Sequence, residues 1–228
     1  MNQTYIEQQA NDLLNAIYRD RKVHWPDKTV SPIEVRDPRV AALVLGYDYH
    51  VLPNLGDPKF NRNGARIAGM IDRQSSRIAV SMEFGLAVQQ FTGAHEIGHL
   101  LLHEEAVMHR DRALDGRPLE GKRPPQEREA DYFAACFLVP QKLLLERFQA
   151  VFYCKGQFFF NDTSAYHLDP TGSGRLLYAE RDSLERELAL ARCERFNGRY
   201  FVSLAQQFGV SDSAMALRIK ELDLVRWP

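Results

Sequence analysis

Hydrophobic residues recur at helical spacing in several parts of the chain, and each apolar stripe predicts a helix. The first predicted helix covers residues 5–18, and its stripe consists of Ile6, Ala10, Leu13, Leu14 and Ile17. The second begins at Glu127 and ends before Pro140, and its stripe consists of Ala130, Phe133, Ala134, Phe137 and Leu138. Between them, residues 25–58 are rich in proline and aspartate, which predicts irregular chain around a short helix at residues 40–45.

Short runs of apolar and β-branched residues predict strands. The runs ARIAGMID (65–72) and RIAVSM (77–82) are separated by RQSS, which predicts a β-hairpin before a further helix at residues 91–103. The aromatic run at residues 151–168 predicts a second small hairpin, and residues 176–195 predict another helix after the turn TGSG. The sequence therefore predicts an α+β fold with an N-terminal helix and a small β-sheet.

The composition excludes several classes of protein. The formal net charge is -1, which gives no electrostatic reason for binding nucleic acid or an anionic membrane. The cysteines, Cys136, Cys154 and Cys193, are scattered, so neither a disulfide framework nor a thiolate metal site is expected. The N-terminus lacks a basic region followed by an apolar run, and no stretch is long enough to span a bilayer. These features predict a cytoplasmic protein without membrane contact.

The predicted helix at residues 91–103 carries the sequence FTGAHEIGHLLLH, in which two histidines are four residues apart. At about 3.6 residues per turn, His95 and His99 lie on one face, so their imidazoles can converge on one cation. Glu96 completes the HExxH pattern of zinc peptidases, in which the glutamate is the general base. The alternative is an amphipathic helix with surface histidines. However, the other faces of this helix are apolar, so the helix is buried and its histidines need partners.

A catalytic zinc site normally has three protein ligands and keeps a further position for water. The metzincin extension of HExxH is rejected, because it needs glycine and histidine where this chain has Leu102 and Glu105. Glu127 and Asp131 are four residues apart on the second helix and hence lie on one face. We expect Glu127 to bind the metal and Asp131 to accept the free ring N–H of a metal-binding histidine, with His95 favoured, which fixes its tautomer. Glu129 is expected to point largely toward solvent.

The runs FTGAHEIGHLLLH and EREADYFAACFLVP resemble the ImmA/IrrE family of metallopeptidases, which carry HExxH on one helix and ExxxD on the next. The resemblance implies a zincin-like fold, a Zn²⁺ cofactor and, for characterised members, cleavage of a helix-turn-helix repressor. By the same resemblance, the metal ligands are His95, His99 and Glu127, and Glu96 is the catalytic base. Residues 149–197 form a longer segment than the family pattern suggests.

The C-terminal run FVSLAQQFGVSDSAMALRIKELDLV resembles a helix-turn-helix, with Gly209 in the turn and Ser211 as a helix N-cap. The residues that would face a DNA groove include Ser213, Arg218 and Lys220. Neighbouring acidic residues nearly cancel their positive charge. A structural or substrate-docking role is therefore favoured over DNA binding.

These patterns lead to one prediction for the whole chain. Residues 1–148 form a zincin-like metallopeptidase core, residues 149–197 an inserted β-hairpin and helix, and residues 198–228 a helix-turn-helix-like region. The protein is a zinc-dependent endopeptidase, a regulatory protease that cleaves a helix-turn-helix transcriptional repressor. The alternative is a DNA-binding regulator or antitoxin-like protein that keeps the metal site. His103 and Tyr132 are candidate contacts to the substrate or the transition state.

Overall fold

The computed structural model describes residues 2–55, 66–104 and 123–227 and the backbone of residues 109–112. The chain divides into two units, Met1–Leu138 and Val139–Pro228. This division lies earlier in the chain than the domain end predicted at residue 148. The first unit contains both helices that were predicted to carry metal ligands.

The described helices of the first unit are α1 (Gln3–Arg19), α2 (Arg21–His24), α3 (Pro38–Val44), α4 (Leu86–Leu102) and α5 (Pro125–Leu138). They confirm the helices predicted at residues 5–18 and 40–45 and the two helices around the motifs. α1 begins where the Asn2 side chain accepts a hydrogen bond from the Tyr5 N–H, and its predicted apolar stripe is buried. No helix in the described part of the chain combines the length and apolar character that crossing a membrane requires.

The first unit also contains a mixed sheet, whose described strands have the order β1-β3-β2-β4. These strands are β1 (Asp48–Leu52), β2 (Ile67–Asp72), β3 (Arg77–Ser81) and β4 (His109–Arg112). β2 is antiparallel to both β3 and β4, which confirms the predicted hairpin. β1 is parallel to β3 and was not predicted, because Asp48 and His50 interrupt its apolar pattern. β4 lies in the predicted long connection, of which residues 105–108 and 113–122 lie outside the described residues.

α4 and α5 pack closely because a glycine lies at their contact. A Cβ atom on Gly98 would lie 3.1 Å from the Cα and carbonyl oxygen of Ala130 and 3.2 Å from the Cβ of Phe133. Phe133 and Phe137 of α5 are fully buried, and their rings stack with centroids 6.1 Å apart. α5 also packs against α1. The apolar stripe of α5 thus fixes the position of the side chains at its N-terminal end.

The second unit consists of short elements around an aromatic core. Its helices are α6 (Gln141–Phe152), α7 (Asp162–Leu168), α8 (Ser173–Leu177), α9 (Glu185–Ala191), α10 (Leu204–Phe208) and α11 (Asp212–Glu221). Its strand pairs are β5 (Phe158–Phe159) with β8 (Val225–Arg226) and β6 (Arg195–Phe196) with β7 (Arg199–Tyr200). Phe152, Phe158 and Phe196 contact one another edge to face, with ring centroids 5.4, 5.5 and 5.6 Å apart.

The hairpin predicted at residues 151–168 is wrong. These residues complete α6, form β5, which pairs with β8, and then form α7. The aromatic run therefore reflects burial in a core rather than strand alternation. The helix predicted at residues 176–195 is interrupted, since α8 ends at Leu177 and α9 begins at Glu185. The Arg186 guanidinium donates to the carbonyl oxygens of Leu176 and Leu177 at 2.8 and 2.9 Å and so caps the end of α8.

α10 and α11 are joined by a turn at Gly209, whose φ of +64° lies in the left-handed region. Arg218 of α11 is 2% exposed, and its guanidinium donates to the carbonyl oxygen of Val139 at 3.1 Å and to Glu221 Oε2 at 2.7 Å. The expectation that Arg218 faces a DNA groove is therefore wrong. Lys220 Nζ donates to backbone carbonyl oxygens of the same unit at 2.9 and 3.2 Å.

Candidate metal centre

His95 and His99 of α4 and Glu127 of α5 place their side chains in one cluster. The Nε2 atoms of the two histidines are 2.9 Å apart. Glu127 Oε2 lies 3.5 Å from His95 Nε2, and Glu127 Oε1 lies 3.5 Å from His99 Nε2. Both histidines are buried, and the Glu127 side chain is 16% exposed. The structure therefore brings the three predicted metal ligands together.

Asp131 lies one turn after Glu127 on α5 and contacts the far side of the His95 ring. Its Oδ1 is 2.9 Å from His95 Nδ1. Because a carboxylate only accepts hydrogen bonds, this contact assigns the ring proton to Nδ1 and directs the Nε2 lone pair into the cluster. Arg123 was not among the predicted site residues, yet its Nη2 donates to Glu127 Oε2 at 3.3 Å and its Nε lies 3.1 Å from Asp131 Oδ2. Arg123 precedes α5, so helical spacing gives no sequence signal for these contacts.

Glu96 is fully buried beside the cluster and packs against β2. A Cβ atom on Gly69 of β2 would lie 2.9 Å from Glu96 Oε1 and 2.3 Å from Thr92 Cγ2. Glycine at this position therefore leaves the space that Glu96 and Thr92 occupy. The pairing of β2 with β4 shifts register between Ile67 and Gly69, and the shift lies at the glycine that faces Glu96 and Thr92. A glycine inside a strand is the sequence signal of this close approach.

His103 follows the last residue of α4, where the backbone becomes extended with φ -127° and ψ 131°. Its Nδ1 lies 3.0 Å from His99 Nδ1, and its Nε2 lies 3.2 Å from Glu129 Oε2. The Glu129 side chain is only 25% exposed. The expectation that Glu129 points largely toward solvent is therefore wrong, because helical spacing gives no sign of the change in backbone direction at His103.

Two further contacts fix the helices that carry the cluster. Arg73, in the turn between β2 and β3, donates through Nη2 to the carbonyl oxygen of His99 at 2.6 Å and also to that of His103. It thereby satisfies carbonyl groups at the C-terminal end of α4. The Tyr132 hydroxyl donates to Glu7 Oε1 at 2.7 Å and links α5 to α1. A contact of Tyr132 with substrate stays a prediction.

Tyr49 of β1 lies against the N-terminal half of α4. A Cβ atom on Gly93 would meet the Tyr49 hydroxyl at 2.2 Å and the Cβ of Pro38 at 3.1 Å. Burial raises the pKa of Tyr49 above its ordinary value, and the charges of Asp37 and Glu96 act in the same direction. Tyr49 is therefore a neutral hydroxyl in the folded protein.

The donor atoms of the cluster fit a zinc ion. Two imidazole nitrogens and a carboxylate oxygen are a common ligand set of catalytic zinc sites. Zinc bonds of about 2.0–2.1 Å at tetrahedral angles separate two donor atoms by roughly 3.3 Å. The observed separations of 2.9 and 3.5 Å lie on either side of this value. The residues can therefore hold such an ion with only a small adjustment.

Comparison with known families finds that residues 62–155 match the family Peptidase_M78, described as the IrrE N-terminal-like domain. The matched region contains the HExxH motif of α4 and the acidic residues of α5. Comparisons with curated proteins and with solved structures give no match. The family is one of peptidases, which agrees with a cluster of two histidines and a glutamate beside a buried glutamate. Residues 62–155 are therefore similar to the IrrE N-terminal-like domain, the domain of ImmA/IrrE-type peptidases.

Proposed function

We propose that the protein is a zinc-dependent endopeptidase with a zincin-like core. The observation that carries the proposal is the convergence of His95, His99 and Glu127, with donor atoms within 4.8 Å of one another and Glu96 buried beside them. The match to a peptidase family supports the same class of reaction. The packing of α4 against α5 and against β2 and β3 supports the proposal of a zincin-like core.

In this reaction Glu96 acts as the general base. Its carboxylate takes a proton from the attacking water, whose oxygen bonds to the scissile carbonyl carbon. The proton then passes to the amide nitrogen as the C–N bond breaks, which releases the amine. His95, His99 and Glu127 would hold the zinc ion, which would supply Lewis-acid chemistry to the carbonyl and the water. Asp131 holds the His95 ring in the orientation and tautomer that this role needs.

The exchange Glu96→Gln tests the role of the base. We expect this variant to lose cleavage and to keep stoichiometric zinc, because the amide cannot accept the proton and no predicted ligand is removed. Peptide cleavage and bound zinc are measured on the same sample. Glu104→Gln is the matched control, since Glu104 is exposed and two residues beyond the end of α4. Full activity of Glu96→Gln with zinc bound would exclude the proposed mechanism.

We infer that the substrate is a helix-turn-helix transcriptional repressor. The inference rests on the resemblance of the two motif helices to the ImmA/IrrE family. The test is co-expression with a helix-turn-helix protein encoded beside this one, followed by an intact-mass measurement of that protein. Cleavage at a defined bond by the wild type and none by Glu96→Gln is the expected result. Efficient, unselective digestion of unfolded casein would contradict a narrow regulatory role.

A DNA-binding regulator is the alternative function, and the charges of α11 do not favour it. Arg218 is buried and paired with Glu221, and Lys220 donates to backbone carbonyl oxygens. Of the residues expected at a groove, the exposed one is Ser213, next to the exposed Asp212. Salt-dependent, sequence-selective binding of duplex DNA by the purified protein would nevertheless decide for this alternative.

A further inference from the structure

A series of short contacts leads from Glu129 through two histidine rings into the metal cluster. Glu129 Oε2 is 3.2 Å from His103 Nε2, and His103 Nδ1 is 3.0 Å from His99 Nδ1. The other ring nitrogen of His99 faces His95 Nε2 at 2.9 Å. On the opposite side of the cluster, His95 Nδ1 is 2.9 Å from Asp131 Oδ1. Each histidine of the cluster is therefore contacted at Nδ1, the ring nitrogen that faces away from the cluster. The Asp131 carboxylate makes this contact with His95, and the His103 ring makes it with His99.

The acceptors at the two ends determine where the ring protons lie. Glu129 only accepts, so His103 carries its proton on Nε2, and a neutral His103 then presents a lone pair at Nδ1. His99 must donate its own Nδ1–H to that lone pair, which leaves the lone pair of His99 on Nε2. Asp131 imposes the same tautomer on His95. Both Nε2 lone pairs then point into the cluster, where a cation can bind them.

We propose that His103 and Glu129 are positioning residues that hold His99 in the Nδ1–H tautomer, the form whose Nε2 can bind a metal ion. The proposal rests on the metal site of the proposed function and assigns no contact with substrate to either residue. Asp131 performs the same task for His95 in one step. The arrangement explains why Glu129, two residues from Glu127, is turned toward the protein although it lies outside the cluster.

The backbone conformation at the end of α4 stabilises the contact between the rings of His99 and His103. His103 has left the helix, and its extended conformation turns the ring back toward His99. Arg73 donates to the carbonyl oxygens of both His99 and His103, so one guanidinium fixes the two residues relative to each other. The His103 side chain is only 10% exposed, which limits competition by water for its ring nitrogens.

Zinc affinity, measured by competition with a chromophoric chelator, tests the proposal without reference to activity. We expect Glu129→Ala and His103→Phe each to weaken zinc binding by roughly 10–100-fold, which is typical for residues that orient a metal ligand. The double variant should be no weaker than His103→Phe alone, since Glu129 acts through His103. Glu104→Ala removes the same charge from an exposed position and should bind zinc as the wild type does. The proposal would be overturned if Glu129→Ala bound zinc as tightly as the wild type does. It would also be overturned if the double variant lost the full sum of the affinity losses of the two single variants.

Two measurements separate positioning from a general effect on folding. Glu129→Gln keeps an oxygen acceptor for His103, so it should retain most of the zinc affinity that Glu129→Ala loses. A loss as large as that of Glu129→Ala would contradict the hydrogen-bond role. Nitrogen NMR of the imidazole rings in the wild-type protein should show the Nδ1–H tautomer of His99, and the Nε2–H form would refute the assignment. Failure of the wild type to bind zinc would instead reject the proposed metal site, and the tautomer spectrum would still decide this inference.

Discussion

At the scale of single residues, the carboxylates of α5 contact different sides of the histidine rings. The oxygens of Glu127 face the Nε2 atoms of His95 and His99 at 3.5 Å, inside the cluster. Asp131 contacts His95 at Nδ1, on the side that faces away from the cluster. Removing Glu127 therefore deletes a predicted ligand, whereas removing Asp131 releases the ring of a ligand that remains.

Metal titration of two variants distinguishes these positions. We expect Glu127→Ala to lose most zinc affinity and Asp131→Ala to lose roughly 10–100-fold, because the second variant keeps all three ligands. Arg128→Ala is the control, since Arg128 lies between the two acidic residues on α5 and is exposed. Chelator competition on the three purified proteins gives the affinities. A larger loss for Asp131→Ala than for Glu127→Ala would contradict the assigned ligand.

Tyr49 predicts a dependence of stability on high pH. Burial raises its pKa above that of an unfolded tyrosine, about 10, so the folded state favours the neutral hydroxyl. The contribution of the raised Tyr49 pKa to the free energy of unfolding is fully present below about pH 10. It is lost as the pH rises above that value, because the unfolded tyrosine then ionises first. The urea midpoint should therefore fall less for Tyr49→Phe than for the wild type between pH 8 and about 10.5. Tyr178→Phe, at a side chain that is 89% exposed, should behave as the wild type does.

At the scale of elements, periodic patterns predicted the parts of the site that lie on regular helices. The stripe of α5 and the HExxH spacing of α4 predicted that His95, His99 and Glu127 lie near one another, and the three side chains do form one cluster, because side chains one turn apart share a helix face. The contact of His103 with Glu129 was not predictable, because it depends on where α4 ends. The same limit explains the missed strand β1 and the wrong hairpin at residues 151–168, where pairing and burial at a distance override local pattern.

The contact between α4 and α5 gives a prediction at this scale. Gly98→Ala adds a methyl group about 3.1 Å from backbone atoms of Ala130, which cannot move aside as a flexible side chain could. Overpacking costs about 1–3 kcal/mol and outweighs a helix-propensity gain of up to about 1 kcal/mol. We expect a lower free energy of unfolding and weaker zinc binding, since α5 carries Glu127. Gly174→Ala in α8 is the control, because a Cβ atom there would have no neighbour within 4 Å, and it should be neutral or stabilising. A higher free energy of unfolding for Gly98→Ala would contradict the observed packing.

At the scale of the whole molecule, every residue assigned to the metal centre belongs to the unit Met1–Leu138. The family match at residues 62–155 covers the helices that carry the cluster and extends through α6 of the second unit. The net charge of -1 provides no general attraction to nucleic acid, and the buried Arg218 removes one cation from the surface of α11. The proposed cleavage of a repressor therefore gains no selectivity from the overall charge of the chain, and we expect shape and local contacts to supply it.

Removal of zinc is expected to destabilise the first unit. A metal that binds only the native state adds RT ln(1 + [L]/Kd), or about 2.7 kcal/mol when its free concentration is 100 times Kd. Chelation should therefore lower the urea midpoint of the wild type, and hydrogen exchange should locate the lost protection in α4 and α5, which hold the cluster. For Glu127→Ala at the same zinc concentration, the urea midpoints measured with and without chelator should be nearly equal. Equal midpoints of the wild type with and without zinc would show that the cluster does not bind the ion in the native state.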